Sequence, residues 1–195
     1  MVLAATSILN RQAARAIFLE VDLSDWPSLF NYALIYGIGL SLVLTMIMIV
    51  SGVIAPDMWV GKYPPDIRQK YGPMSLRAAR MRPYIAVLFF MAVLVVIILG
   101  LFALRAEVDD VPFSLAFAFS SVVLLVFNTF DLIVLDWLFF CTIQPRLMVL
   151  PGTEGMPGYH DYRFHFIGFL KGLIFCAAGS LFIALLWVVV QSLTT

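Results

Sequence analysis

The chain has 195 residues, 63% of them hydrophobic and only 12% charged, with a formal net charge of zero. That balance is far from the soluble average and is the composition of a polytopic membrane protein. Zero net charge, and the lack of a basic run with interleaved aromatics, exclude nucleic acid as an expected partner.

The first residues, MVLAATSILNRQAARAIFLEV, lack the basic start, short apolar centre and small-residue cleavage site of a secretory signal, so they are expected to stay on the protein. Ile8, Leu9, Ile17, Phe18 and Val21 against Arg11 and Arg15 make a loosely amphipathic pattern. It reads as a short N-terminal interfacial helix, with a partly ordered tail as the alternative. Asp25, Trp26 and Pro27 mark a helix start: an acid to cap, a proline for the first turn and a tryptophan suited to the headgroup level.

Span one is expected over 29–54, and Pro56 ends it. Ala33, Gly37, Ser41 and Thr45 recur every fourth residue, a stripe small enough to let another backbone come close. The loop 56–84 is basic, with Lys62, Arg68, Lys70, Arg77, Arg80 and Arg82 against Asp57 and Asp66. Its Pro64-Pro65 and Gly72-Pro73 pairs predict short interfacial turns of helix between the breaks. Span two, 85–104, has no polar interior residue and reads as lipid-facing. After the acidic link of Glu107, Asp109 and Asp110, one of the two aspartates is expected to cap span three, with Pro112 in its first turn.

Span three is expected over 111–140, which places Asp131 near its far end, ~30 Å from the start at ~1.5 Å per residue. A loop over 141–165 leads to span four, 166–190, where Gly168, Gly172, Cys176 and Ser180 repeat the four-residue spacing. Its expected use is packing on the small stripe of span one, through Gly37 and Ser41; a homodimer or a membrane-protein partner is the lesser use. The fold class that follows is all-α, one membrane domain over 1–195 forming a compact bundle of four transmembrane helices. Lysine and arginine counts put both long loops in the cytoplasm and both termini outside. Cys141 and Cys176 have no CxxC spacing and read as small core residues.

Most of the chemistry-bearing residues fall between 131 and 172. Asp131 and Asp136 are five apart, so on an α-helix they point ~140° from one another, whereas Asn128 and Asp131 share a face. A functional reading makes Asp131, Asp136, His165 and Glu154 catalytic candidates. The structural reading pairs Asp131 with Lys171, because ionisable groups at membrane depth commonly pair. Asp161 and His165, four apart on one helix face, are weak candidates for metal ligation; no HExxH or comparable spacing supports them. The hinge PGTEGMPG is no nucleotide loop, since no GK[ST] follows, and the sequence identifies no cofactor. Hinge amides together with Arg77, Arg80, Arg82, Arg146 and Arg163 suggest a site for anionic lipid headgroups.

The segments DLIVLDW, LPGTEG and DYRFHFIGFLKG together resemble uncharacterised bacterial four-span integral membrane proteins over roughly the last third of the chain. The resemblance implies a bacterial inner membrane and treats these motifs as one unit, and it carries no activity. Two functions are expected from the residues. One is a membrane subunit or scaffold whose polar cytoplasmic cap binds a partner or anionic headgroups; the other is a membrane-embedded enzyme acting on a lipid or isoprenoid at the cytoplasmic interface. The scaffold ranks first because no established catalytic spacing is present. An exporter-like transporter ranks third, since span one has no acidic residue.

Overall fold

The computed structural model describes residues 26–108 and 110–194; the amphipathic N-terminal stretch, Asp25 and Asp109 lie outside the described residues. Within them the chain is all-α, without a strand. The α-helices are α1 (Trp26–Ile54), α2 (Pro65–Tyr71), α3 (Leu76–Val108), α4 (Phe113–Phe130) and α5 (Tyr162–Thr194). Helix α4 continues without a break as a π-helix over Asp131–Ile143, and 3-10 turns occupy Pro56–Lys62 and Pro157–His160.

Four of these segments, α1, α3, α4 with its π extension, and α5, are long and apolar enough to cross a membrane. The 29 residues of α1 span roughly 43 Å at ~1.5 Å per residue, against ~30 Å of hydrocarbon, so the helices tilt or carry their end turns into the interface. The outer surface is apolar as well: Phe90 is 72% exposed, Phe175 77% and Val53 65%. Side chains of this kind in a continuous belt are solvated by lipid and not by water. Helix α3 begins at Leu76 and runs through Pro83, so the separate interfacial turn expected before span two is instead the first part of one long helix. Ser75 caps it, accepting from the Ala78 amide at 3.2 Å, and Asp57 accepts in turn from the Ser75 amide.

Helix α4 is the centre of the bundle, with α1 and α5 packed on it and α3 packed on α1. The core between them holds Leu29, Leu40, Leu44, Ile97, Leu101, Phe119, Val123 and Trp187. This corrects the expected contact between the small stripes of spans one and four, because each stripe meets α4. A Cβ on Gly37 would stand 2.8 Å from Val126 Cβ, and one on Gly172 would run into the Asn128 amide. Gly168 faces open space, and Ser41, although buried, gives its hydroxyl to Gly37 O at 2.8 Å within its own helix. A small stripe admits any close neighbour, so its spacing does not say which one.

At the end of the bundle where α5 finishes, Trp187 Nε1 donates to Val111 O at 3.0 Å and Gln191 donates to Asp110. Asp110 therefore does not cap α4. The residue before that helix is Pro112, in an extended conformation with ψ 165°, which carries Asp110 out of reach of the first-turn amides. At the opposite end the first loop and the 144–161 hinge fold together into a cap around Tyr63, Ile67, Phe140, Leu150 and Tyr159.

Candidate functional site

The cap is held by buried hydrogen bonds that account for the hinge residues one by one. Tyr63 donates to Met148 O at 3.0 Å, and burial raises its phenol pKa so that it remains a donor. The Leu150 amide donates to Tyr159 Oη at 2.9 Å, Thr153 donates to Leu150 O at 2.7 Å, and the Gly158 amide donates to Asp66 Oδ2 at 2.9 Å. A side chain on Gly158 would occupy the place of the Asp66 carboxylate, so the hinge needs glycine there. Gly152 and Gly155 turn the chain with positive φ, 80° and 73°.

Beneath this cap the π-helix changes which residues share a face. Its backbone bonds reach five residues instead of four, as where Gln144 N donates to Phe139 O at 2.8 Å; the Thr142 side-chain hydroxyl also reaches back five residues, to Trp137 O at 2.8 Å. Residues five apart then stand far closer in angle than the ~140° of an α-helix. Asp131 and Asp136, far apart in angle on an α-helix, come toward one side, and Asp131 lies within electrostatic reach of Asp136, Lys62 and His165.

His165 enters from α5 and is 5% exposed, with its ring 4.7 Å from that of Phe140. Its Nδ1 stands 2.9 Å from Asp136 Oδ1, a charge-assisted hydrogen bond. A carboxylate can only accept, so Nδ1 carries the proton, and in the neutral ring Nε2 is a bare acceptor. That Nε2 is buried and has no hydrogen-bond partner among the described residues. His165 and Asp136 line a cavity of about 90 Å³ with Lys62, Tyr63, Thr45 and Met48. Since about 10–15 Å³ of such space holds one water, the cavity admits several waters or a small polar group.

The other residues singled out in the sequence are placed elsewhere. Lys171 is exposed and makes no ion pair with Asp131 among the described residues, which corrects the expected pairing; the cation near Asp131 is Lys62, brought over by the turn that follows Pro56. Asp161 accepts from the Phe164 amide at 2.9 Å as the N-cap of α5, so its carboxylate is committed to the helix start and not to His165. Glu154 is exposed, and its carboxylate accepts from its own backbone amide and from the Gly152 amide at 3.1 Å; the two bonds lower its pKa and occupy hinge amides expected to be open to an anion. Among the described residues no group of three or more histidine, cysteine, aspartate or glutamate side chains is placed to hold a metal ion.

Asn128 sits a turn before the π-helix and donates to Phe169 O at 3.2 Å, so it ties α4 to α5. Arg77, Arg80, Arg82, Arg146 and Arg163 are exposed around the cap. Lys62 and Tyr63 are members of the site that sequence reasoning passed over. The available signal was position: both follow Pro56 directly, on the same side of the bundle as the end of span three. Comparison with protein-family models, curated proteins and solved structures finds no match for this chain.

Proposed function

We propose that this integral membrane protein is a membrane-embedded enzyme that carries out acid–base chemistry on the polar end of an amphiphile at the capped end of its bundle. The observation that carries this reading is His165: buried, oriented through Nδ1 by Asp136, lining a cavity, and with an Nε2 that has no partner among the described residues. A histidine that only fills a core has both nitrogens satisfied, because a buried acceptor without a partner costs about 1–3 kcal/mol. A carboxylate behind an imidazole holds the tautomer and stabilises the imidazolium when the far nitrogen takes a proton. In this reading His165 is the general base and then acid, Asp136 positions it, and Asp131 with Lys62 sets the local field. The lysine and arginine count favours a cytoplasmic cap with both termini outside, and the resemblance to bacterial four-span proteins favours an inner membrane.

A second reading, a membrane subunit whose cap binds anionic headgroups, is favoured by the exposed Arg77, Arg80 and Arg82. One experiment separates the two. The purified protein in nanodiscs is incubated with a total membrane lipid extract, and products are followed by mass spectrometry. A product that falls by about a hundredfold or more in His165→Gln, the range for loss of a general acid–base group, supports the enzyme. An unchanged lipid profile, with binding to anionic vesicles lost in the Arg77, Arg80 and Arg82 triple alanine variant, replaces it with the subunit.

A further inference from the structure

The wall of the cavity under the cap offers a ligand mainly acceptors. Tyr63 gives its hydroxyl to Met148 O at 3.0 Å and Trp59 gives Nε1 to Ser51 Oγ at 3.0 Å, so both rings line the cavity with their donors already used. Thr45 donates to Ser41 O at 2.7 Å and keeps the lone pairs of its oxygen. Asp136 has Oδ1 on His165 at 2.9 Å, whereas Oδ2, on a side chain 28% exposed, has no hydrogen bond among the described residues. The free donors are those of Lys62, which is exposed and makes no ion pair among the described residues, so its flexible stem can carry the ammonium outward. Charge points the same way. With both carboxylates ionised, Asp131 and Asp136 stand against Lys62, and a neutral His165 ring leaves a negative excess while a protonated ring leaves balance. Neither state draws in an anion.

We infer that the cavity binds an ammonium-headed amphiphile, a long-chain primary amine, with an N–H donated to Asp136 Oδ2 and its first carbons against Met48, Ile49, Leu135 and Leu147. A hydrogen bond from a charged N–H to a carboxylate is roughly twice as strong as a neutral one, and the rings of Trp59 and Phe140 add surface that attracts a cation. An alcohol gains neither. Chains of this kind reach the cavity from the bilayer, since it lies at one end of a bundle of membrane-length helices. Lys62 is the tethered competitor for the same carboxylates. The assignment names the substrate class of the site and rests on the acid–base reading for what is done there; the binding uses Asp136 and not the buried imidazole.

The test uses the full chain in phosphatidylcholine nanodiscs, whose zwitterionic headgroups carry no N–H. Tritiated decylamine is titrated onto discs with and without the protein, and unlabelled decylamine, decanol and decyl phosphate are offered as competitors. The expected result is a saturable component found only with the protein, displaced about tenfold better by decylamine than by the alcohol or the phosphate. Asp136→Asn should weaken it by about tenfold as well. Lys62→Gln, at an exposed position, should strengthen it, and this variant keeps the assignment open to refutation even where Asp136→Asn fails to fold. No saturable component, equal displacement by decanol, tighter binding of decyl phosphate, or amine binding that Lys62→Gln weakens overturns the assignment. His165→Gln separates this failure from a failure of the acid–base reading. A lipid product that depends on His165, without saturable amine binding, keeps the base and removes the ammonium head. Amine binding that survives His165→Gln, with no product from any lipid, keeps the ligand and removes the catalysis.

Discussion

Gly172 and Gly168 share one motif and have opposite surroundings, and the difference is a single side chain. A methyl group on Gly172 overlaps the Asn128 amide, which is itself held by its bond to Phe169 O. A methyl on Gly168 meets nothing. Overpacking a fixed polar contact costs about 1–3 kcal/mol, whereas glycine to alanine at an open helical site gains up to about 1 kcal/mol. Gly172→Ala is therefore expected to lower the thermal midpoint in detergent and Gly168→Ala to leave it level or raise it. In an Asn128→Ala background most of the Gly172→Ala penalty should vanish, since the two effects share one contact. Equal destabilisation by both alanines would mean that Gly168 also packs on a neighbour.

At the scale of the element, the π-helix decides whether there is a site at all. With α-helical winding Asp136 turns away from Asp131, and the pair that shares a face is 131 with 135. With π winding, which takes more residues per turn, 136 comes to that face as well. Cysteines at these positions, with Cys141 and Cys176 replaced by alanine, distinguish the two by cadmium bridging. Asp131→Cys with Asp136→Cys is expected to bind Cd²⁺ and to be protected from maleimide, which α-helical winding, with the two ~140° apart, would prevent. Bridging of 131 with 135 but not of 131 with 136 would restore the α-helix and dissolve the carboxylate cluster. Single-turn π bulges recur at functional positions in helices, and here the widened segment carries both carboxylates of the candidate site.

For the whole molecule the decisive matter is which end of the bundle faces which side. The cap gathers Arg68, Lys70, Arg77, Arg80 and Arg82 on exposed positions of α2 and the start of α3, and the opposite link is acidic, with Glu107 and Asp110 exposed. Single cysteines in place of Gln69, at the cap, and Val108, at the far end, are expected to label from opposite faces of sealed vesicles, with Gln69→Cys on the cytoplasmic side. Labelling of both from one face would defeat the four-span topology, and an inverted pattern would reverse the orientation alone.

The class of the protein was legible without coordinates, because hydrocarbon admits only backbones that satisfy their own hydrogen bonds, and long apolar runs therefore read as spanning helices. The same holds for the hinge around Pro151 to Gly158, whose turn residues declare a reversal on local grounds. What local grounds do not contain is partner choice. The stripes at Gly37 and Gly172 announce close packing, but only the assembled bundle places α4 between them. Asp131 announces the need for a partner, but whether Lys171 or Lys62 answers depends on a turn after Pro56 that folds back over the bundle. The Asp136–His165 pair joins residues 29 positions apart across two helices, one of them wound with a hydrogen-bond period that carries no distinct pattern of apolar residues. Periodicity records the face a segment turns to its core; the contacts that make a site are decided by which faces tertiary packing brings together.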